Sequence, residues 1–341
     1  IDDKYLLQTI QKLDKAESSS IVLDLYRNVG VGEGAKSLAN YSRSNKKVIS
    51  IFNVAESIPS IPKFPLNRMA FNDMPIDTDN VVRRDLVGVN RKKYNLSAEY
   101  ISVPMRMVEI NQYLNRKKFD LEDEFYKNEI PLIKNFSGGY TNVDSNGFQI
   151  FINYPEKNYI PIYSLGDILN DKISSEKLKD KMVVIGATAP SLKDVFAIPS
   201  SRFETDSKSL LISGAEIHAH RANQLLALQN NSPLKINTIN PLMELIGIIF
   251  YVSLISIFIE KTKKISTGFI VVLTSLGSLS LLIYFAFING YWIEFALPVI
   301  GAIAFSSISW LRKASEQQKQ KALMQKLLGQ TTSPEVAEEL W

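Results

Sequence analysis

The sequence predicts an α/β domain followed by three transmembrane α-helices and a cytoplasmic helical linker. Two observations lead to this fold class. Residues 1–236 alternate between strand-like and helix-like patterns, which is typical of α/β domains. Residues 242–311 contain only six charged side chains, although charged residues make up 22% of the whole chain. Residues 242–311 are apolar enough to lie in a lipid bilayer, so a purely water-soluble protein is excluded.

The composition limits the chemistry that is open to the chain. Its 341 residues carry a net charge of only +4, because 39 basic residues are nearly balanced by 35 acidic ones. So small an excess of positive charge argues against nucleic acid as the main partner. There is no cysteine, so disulfides, thiolate zinc sites and cysteine nucleophiles are excluded. His218 and His220 are the only histidines, and we therefore expect no metal site.

The predicted elements of the first 236 residues follow from the spacing of their apolar side chains. Helices are predicted over 5–15, 33–44, 97–115 and 214–228. Strands are predicted over 20–26, 47–53, 81–89, 148–153 and 182–186. Residues 57–75 contain four prolines and are predicted to form a loop. This order of elements predicts one α/β domain over residues 1–236.

Three apolar stretches follow, at 241–259, 268–288 and 291–311. Each is close to the roughly 20 residues that a helix needs to cross a bilayer. Three lysines lie between the first and second stretches, and two further cations directly follow the third. Because cytoplasmic loops are rich in lysine and arginine, residues 1–236 are predicted to lie outside and residues 312–341 in the cytoplasm. We expect a multi-pass protein of the plasma (inner) membrane, with the lipid bilayer as a partner.

The cytoplasmic residues 312–341 are polar and favour helix formation up to Gly329, where a break is predicted. Beyond the break, Ser333 suits a helix cap and Pro334 suits the first helical position. Glu335 complements the positive end of the helix dipole. A second helix is therefore predicted to begin there.

Two segments near the end of the domain carry candidate functional residues. Gly186-Ala-Thr-Ala-Pro190 follows a predicted strand, and its small residues allow backbone amides to approach a small anion. A tight turn closed by Asp194 explains the same pattern. In Glu216-Ile-His-Ala-His220, only Glu216 and His220 are spaced to share a helix face. We interpret this second segment as a capped helix start rather than as a metal site.

A glycine-rich segment offers an enzyme hypothesis. Residues 30–35 match G-x-G-x-x-A between a predicted strand and a predicted helix, which is the dinucleotide-binding fingerprint. Glu56 lies beyond the next strand, where an acid that binds ribose would stand. A flexible glycine-rich turn explains the same residues, and nicotinamide cofactors are scarce outside the cell. An extracytoplasmic dinucleotide-binding enzyme is kept as an alternative.

Residues 182–199 and 213–226 resemble the signature of a sensor family. They read M-V-V-I-G-A-T-A-P-S-L-K-D-V-F-A-I-P and S-G-A-E-I-H-A-H-R-A-N-Q-L-L. The CHASE type 2 extracellular sensor domain of bacterial receptors is similar, with V-L-I-G-A-T-A-x-x-x-x-D and G-V-E-I-H-A, although Ala215 replaces the usual valine. The resemblance covers most of residues 1–311 and implies a receptor for an unidentified extracytoplasmic ligand, with three spans after the sensor. The motif positions that it implies are Gly186, Thr188, Asp194, Gly214, Glu216 and His218.

Residues 327–341 resemble the linker that precedes class III adenylate/guanylate cyclase domains, especially in cyanobacterial receptors. In those proteins S-P-E-V-A or S-P-E-I-A stands just before the catalytic domain, and here the same pattern begins at Ser333. The chain starts at Ile1 rather than at methionine and stops at Trp341 in a helical pattern, so we expect a piece of a longer protein.

This second resemblance implies a homodimer and a cyclase domain beyond Trp341. That domain would take ATP or GTP and would need Mg²⁺ or Mn²⁺. No catalytic residue and no cofactor site is predicted within these 341 residues. A histidine kinase or a serine/threonine kinase as the output domain is the alternative within the same receptor architecture.

Overall fold

The computed structural model describes residues 1–89, 100–114, 130, 132–154, 160–192, 194–202, 211–230, 232, 234–262 and 264–331. Contacts divide the chain into two units. We call them the α/β unit, which comprises Ile1–Ile133 and Asp144–Lys235, and the helical unit, which comprises Lys134–Val143 and Ile236–Trp341.

The described residues begin with a helix and end with long helices. The strands are β1 (Ser20–Asp24), β2 (Val48–Phe52), β3 (Met69–Phe71), β4 (Arg84–Val89), β5 (Tyr100–Ile101), β6 (Phe136–Ser137), β7 (Tyr140–Thr141), β8 (Phe148–Phe151), β9 (Met182–Gly186), β10 (Val195–Phe196), β11 (Ile212–Ser213), β12 (Asn237–Thr238) and β13 (Tyr291–Trp292). The α-helices are α1 (Asp3–Lys15), α2 (Ala35–Ser44), α3 (Val103–Leu114), α4 (Leu165–Leu169), α5 (Ser175–Leu178), α6 (Gly214–Gln229), α7 (Pro241–Lys261), α8 (Ile265–Ile288) and α9 (Ala296–Thr331). Short 3₁₀ helices cover Leu66–Arg68, Pro190–Leu192 and Pro199–Arg202.

A four-stranded parallel sheet forms the centre of the α/β unit, in the order β3-β2-β1-β9. β1 has a neighbour on each side, and every residue of its sequence Ser-Ile-Val-Leu-Asp is buried. A continuous buried run of this kind is usual where helices cover both faces of a parallel sheet. Ile21 and Leu23 cluster with α1 and α2, whereas Val22 clusters with α3 and α6.

The chain leaves β1 and β9 toward opposite faces of the sheet. After β1 it forms α2, which shares a core with α1. After β9 its next α-helix is α6, which packs with α3 on the other face. Open α/β sheets bind ligands in the crevice that such a divergence leaves at the carboxyl ends of the two strands. Asp24 and Gly186, the last residues of β1 and β9, stand where this class of fold has its ligand crevice.

A second sheet of three antiparallel strands, in the order β5-β4-β8, shares its core with the same two helices. Val87 and Ile150 from this sheet cluster with Val108 of α3 and Leu225 of α6. Because α6 contacts both sheets, its side chains reach the interior of the α/β unit from two sides. This position of α6 determines where the residues of the predicted motif lie.

The structure confirms the predicted strand 182–186 and corrects two other predictions. Met69–Phe71 is a strand inside the predicted loop 57–75, because its backbone pairs in parallel with β2. The predicted helix 97–115 begins only at Val103, and the part of it before Tyr100 lies outside the described residues. Pro104 explains this start, because proline fits the first turn of a helix, where its missing N–H is not needed.

Two helices of the helical unit are long and apolar enough to cross a membrane, over Pro241–Lys261 and Ser266–Ile288. They contain the whole of the predicted spans 241–259 and 268–288. Within the described part of the chain, α9 does not meet the same measure of length and composition. Its apolar part ends at Leu311, where charged residues follow.

The third predicted span, 291–311, begins later than expected. Tyr291–Trp292 form a strand that pairs in parallel with β12, and α9 begins only at Ala296. The Asn237 N–H donates to the carbonyl of Gly290 over 2.7 Å. These backbone hydrogen bonds hold the segment extended, and they explain why an apolar sequence is not helical there.

α9 packs against α7 inside the helical unit. Ala302 clusters with Ile255 and Ile259, and Arg312 forms an ion pair with Glu260. Beyond this contact α9 continues unbroken to Thr331, so the predicted break at Gly329 is wrong. The predicted cap residues Ser333, Pro334 and Glu335 lie outside the described residues.

A candidate ligand site at the carboxyl edge of the parallel sheet

The candidate site lies at the carboxyl ends of β1 and β9. Asp24 is the last residue of β1 and stands opposite Gly186, the last residue of β9. The side chain of Asp24 is only 4% exposed. The parallel sheet thus holds a carboxyl group in a buried position, where the charged form is disfavoured.

Two glycines make room around this carboxyl group. A Cβ on Gly186 would lie 2.6 Å from the Cβ of Ala215 and 3.4 Å from Oδ2 of Asp24. A Cβ on Gly214 would lie 2.6 Å from Oδ1 of Asp194. Contacts of 2.6 Å are far shorter than the roughly 3.5–4.0 Å at which non-bonded carbon atoms attract each other. A larger residue at either position would therefore displace the acidic side chains or α6.

Asp194 brings a second carboxyl group to the crevice. Its carbonyl accepts a hydrogen bond from the Gly214 N–H over 3.1 Å, which fixes the segment against the start of α6. Burial raises the pKa of Asp194. Burial and the nearby charge of Asp194 together raise the pKa of Asp24 to about 7. The pair therefore exchanges a proton near neutral pH and favours ligands that donate hydrogen bonds or carry positive charge.

Polar side chains continue along the carboxyl edge on the other side of Asp24. The side chain of Asn72, which follows β3, lies close enough to Asp24 to lower the pKa of that acid slightly against the effect of burial. The Oδ1 of Asn72 accepts from the Tyr26 hydroxyl over 3.1 Å and from Nδ2 of Asn53 over 3.4 Å. Asn53 follows β2, so three adjacent strands contribute polar groups to one edge. A few convergent polar groups of this kind orient a ligand in a binding crevice.

A buried chain of polar contacts runs from Asp85 through Arg221 to the ring of His218, on the side of the ring that faces away from Asp24. On α6, Arg221 donates from Nε to Oδ1 of Asp85 on β4 over 2.7 Å, and its Nη2 donates to the same oxygen. The side chains of Arg221 and Asp85 are 0% and 1% exposed. Nη1 of Arg221 lies 3.3 Å from Nδ1 of His218. On the far side of the ring, Nε2 of His218 lies 4.0 Å from Oδ2 of Asp24.

This chain determines the protonation of His218. Arginine only donates hydrogen bonds, so Nδ1 of His218 accepts and the ring proton resides on Nε2, toward Asp24. Burial and the positive charge of Arg221 both lower the pKa of His218 well below its ordinary value. His218 is therefore a neutral donor that faces Asp24, while Asp24 is the group that titrates.

The structure brings together four of the residues that the sequence singles out. Gly186, Asp194 and His218 lie near the carboxyl group of Asp24, and Gly214 lies against Asp194. Glu216 instead completes a capping box with Ser213 at the start of α6, which confirms the interpretation of this segment as a capped helix start. Thr188 is exposed on the loop after β9.

Sequence reasoning missed Asp24, Arg221 and Asp85. Asp24 carries a usable signal, because an acid at the end of a buried apolar strand lies at the edge where ligands bind. Arg221 and Asp85 carry none, since their contact joins positions 136 residues apart. Only the packing of α6 on the antiparallel sheet brings them together.

The contacts of the glycine-rich loop 30–35 argue against the dinucleotide hypothesis. Asp3, at the start of α1, accepts hydrogen bonds from the Val31 N–H over 2.9 Å and from Nε of Arg27 over 2.7 Å. An internal carboxylate thus stands where a phosphate would bind. The cavity beside the loop measures about 280 Å³, which is near the lower end of the roughly 300–1,000 Å³ that is usual for small-molecule pockets. Among the described residues, no group of three or more histidine and acidic side chains is placed to hold a metal ion.

We expect Arg221→Met to destabilise the chain by roughly 3–5 kcal/mol, because it leaves the charge of Asp85 buried and unpaired. Thermal or chemical unfolding of the chain in detergent measures the change. Lys172→Met is the matched control, since Lys172 is 65% exposed in its ion pair with Asp167 and such pairs contribute less than about 1 kcal/mol. Equal losses in the two variants would contradict the role of the buried pair.

We expect the stability of the chain to fall, relative to Asp24→Asn, as the pH rises from about 4 to about 7. The pKa of Asp24 is raised from 3.8 to about 7. The folded state therefore binds the proton more tightly, and this contribution is complete below pH 3.8 and lost above pH 7. The free energy of unfolding therefore falls by at most about 1.4 kcal/mol per pH unit. Unfolding at several pH values measures it, and parallel pH profiles for the two proteins would show that Asp24 does not titrate this way.

Comparison with protein families agrees with this architecture. The family model of the CHASE2 domain matches residues 1–257, more than half of the chain. No curated protein and no solved structure matches the chain significantly. The chain therefore belongs to the CHASE2 family, whose domains are sensors of membrane signalling receptors.

Proposed function

We propose that the chain is the sensing and membrane-spanning part of a receptor that controls a class III adenylate/guanylate cyclase. Residues 1–236 receive the signal outside the cell, the helices within 241–311 cross the plasma membrane three times, and residues 312–341 form the cytoplasmic linker. The observation that carries this proposal is a cluster of buried polar groups at the divergence of β1 and β9, within a domain of a sensor family.

The contacts inside the helical unit support the proposed topology. β12 precedes α7 and β13 precedes α9, and the two strands pair with each other. They therefore lie at one end of these helices. The opposite end carries Lys261 and Lys264 on either side of the α7–α8 loop, and Arg312 of α9 pairs there with Glu260. The positive-inside rule assigns that end to the cytoplasm and the paired strands to the outside.

The crevice suits a small polar ligand that offers hydrogen-bond donors. Asp24 and Asp194 present carboxyl groups, and Asn53 and Asn72 add amides at the same edge. A ligand that bound between the acids would also change the proton content of the site, since Asp24 titrates near neutral pH. We propose that Gly186, Gly214 and His218 shape and face this ligand.

The proposed output rests on the resemblance of residues 327–341 to a cyclase linker. A class III cyclase builds its active site from two chains, so the receptor would act as a homodimer. It would use ATP or GTP with Mg²⁺ or Mn²⁺ in a domain beyond Trp341. The same sensor and helices fit a histidine kinase or a serine/threonine kinase as the output domain.

Single cysteines test the topology cleanly, because the chain has none of its own. In intact cells, we expect a membrane-impermeant maleimide to label Lys172→Cys and not Gln318→Cys. Both side chains are exposed, so both positions should react once the membrane is permeabilised. Labelling of Gln318→Cys in intact cells, with Lys172→Cys protected, would reverse the proposed orientation.

We expect membranes with the full-length protein to form cyclic AMP or cyclic GMP from ATP or GTP in the presence of Mg²⁺ or Mn²⁺. Asp24→Asn should change the rate of formation at pH 7, because it fixes the sensor acid in its neutral form. Lys172→Met should leave the rate unchanged, since its exposed ion pair lies outside the crevice. Phosphate transfer to protein without any cyclic nucleotide would contradict the cyclase proposal in favour of a kinase.

A further inference from the structure

A short hairpin belongs to the helical unit, although the chain on both sides of it belongs to the α/β unit. Within residues 134–143, β6 and β7 are joined by Gly138 and Gly139. Gly138 has a φ of +58°, which suits the tight two-residue turn of a hairpin. The chain enters the hairpin from Ile133 and leaves it at Asp144, and both residues are part of the α/β unit.

Trp292 lies against the tip of this hairpin, where Gly138 is buried and Gly139 is exposed. A Cβ on Gly138 would lie 2.8 Å from Cδ2 of Trp292, and a Cβ on Gly139 would lie 2.7 Å from its Cζ2. The ring of Tyr140 meets the same indole edge-on, with centroids 5.3 Å apart. Ser137 is only 1% exposed. The glycine turn is therefore what allows the indole to sit on the hairpin.

Trp292 lies on the segment between α8 and α9, and that segment is held by two further contacts. Its strand β13 pairs with β12, which follows α6 along the chain. The Glu294 N–H donates to Oε1 of Glu244, in the first turn of α7, over 2.7 Å. Three parts of the chain thus meet at this segment: the hairpin, β12 and the start of α7.

We propose that Trp292 is a coupling residue that clamps the hairpin 134–143 to the segment between α8 and α9. The chain itself connects the α/β unit with the helical unit at two places, at the hairpin and at the residues that lead into α7. The second connection follows α6, which carries His218, and the first precedes β8, which pairs with the strand of Asp85. A change at the crevice would reach the membrane helices along both. A role of this contact in signalling rests on the proposed receptor function, whereas the contact between Trp292 and the hairpin does not.

Hydrogen–deuterium exchange on the whole chain in lipid nanodiscs tests the clamp. In Trp292→Leu we expect exchange over residues 134–143 to rise at least about tenfold, with a smaller rise over 144–151, because the hairpin opens locally. Trp310→Leu is the matched control. Trp310 also lies against a glycine, since a Cβ on Gly268 would come within 2.7 Å of its Nε1, but it does so within the helices.

A milder variant keeps the test decisive if Trp292→Leu does not fold. Gly139→Ala places a methyl group against the indole, whereas Gly277→Ala meets nothing within 4 Å and serves as its control. Unchanged exchange over 134–151 in Gly139→Ala, or an equal rise in the control variants, would overturn the clamp. The exchange measurement needs neither a ligand nor an output domain, so it tests the contact between Trp292 and the hairpin alone. The cysteine labelling and the nucleotide assay test the receptor proposal separately.

Discussion

The buried ion pair between Arg221 and Asp85 is the interaction on which the candidate site depends. It joins α6 to the antiparallel sheet with side chains that are at most 1% exposed. Within the described residues, Oδ2 of Asp85 has no hydrogen-bond partner, so the pair bears a desolvation cost that its contacts only partly offset. Apolar residues of similar size would stabilise the fold as well. The pair matters for the site because Arg221 also contacts His218. This contact orients the ring of His218 so that the proton on its Nε2 faces Asp24.

The rest of the site follows from the order of the strands. Because the chain leaves β1 and β9 toward opposite faces, Asp24 ends its strand at the position where such sheets bind ligands. α6 covers that position, and it approaches closely only because Gly186 and Gly214 lack side chains. A buried acid, a second acid and a neutral histidine then meet within one polar edge. Such an arrangement responds to a proton or to a donor ligand with a change in charge, which is a suitable start for a signal.

The sequence predicts the regular parts of this molecule well, and the reasons for its failures are physical. Residues 182–186 form a continuous apolar run, and so do the first two long stretches, because each lies against apolar surroundings. Such patterns are visible in a short piece of sequence. Met69–Phe71 has only three residues among prolines, and its pairing with β2 is visible only in space. Tyr291 and Trp292 are apolar enough for a span, yet pairing with β12 keeps them extended. At the site, the motif around Asp194 and Gly214 is visible in a short piece of sequence, whereas Arg221 and Asp85 pair across 136 residues and meet only in the folded chain.

The tautomer of His218 reports directly on whether Arg221 holds this histidine neutral with its proton toward Asp24. The chain has only two histidines, so the imidazole ¹⁵N spectrum of the protein in nanodiscs is simple, and a His220→Gln variant assigns it. We predict that His218 keeps the Nε2–H tautomer from pH 8 to pH 5, while its chemical shifts follow a titration near pH 7 that disappears in Asp24→Asn. If His218 becomes an imidazolium above pH 5, or carries its proton on Nδ1, then Arg221 does not have this role.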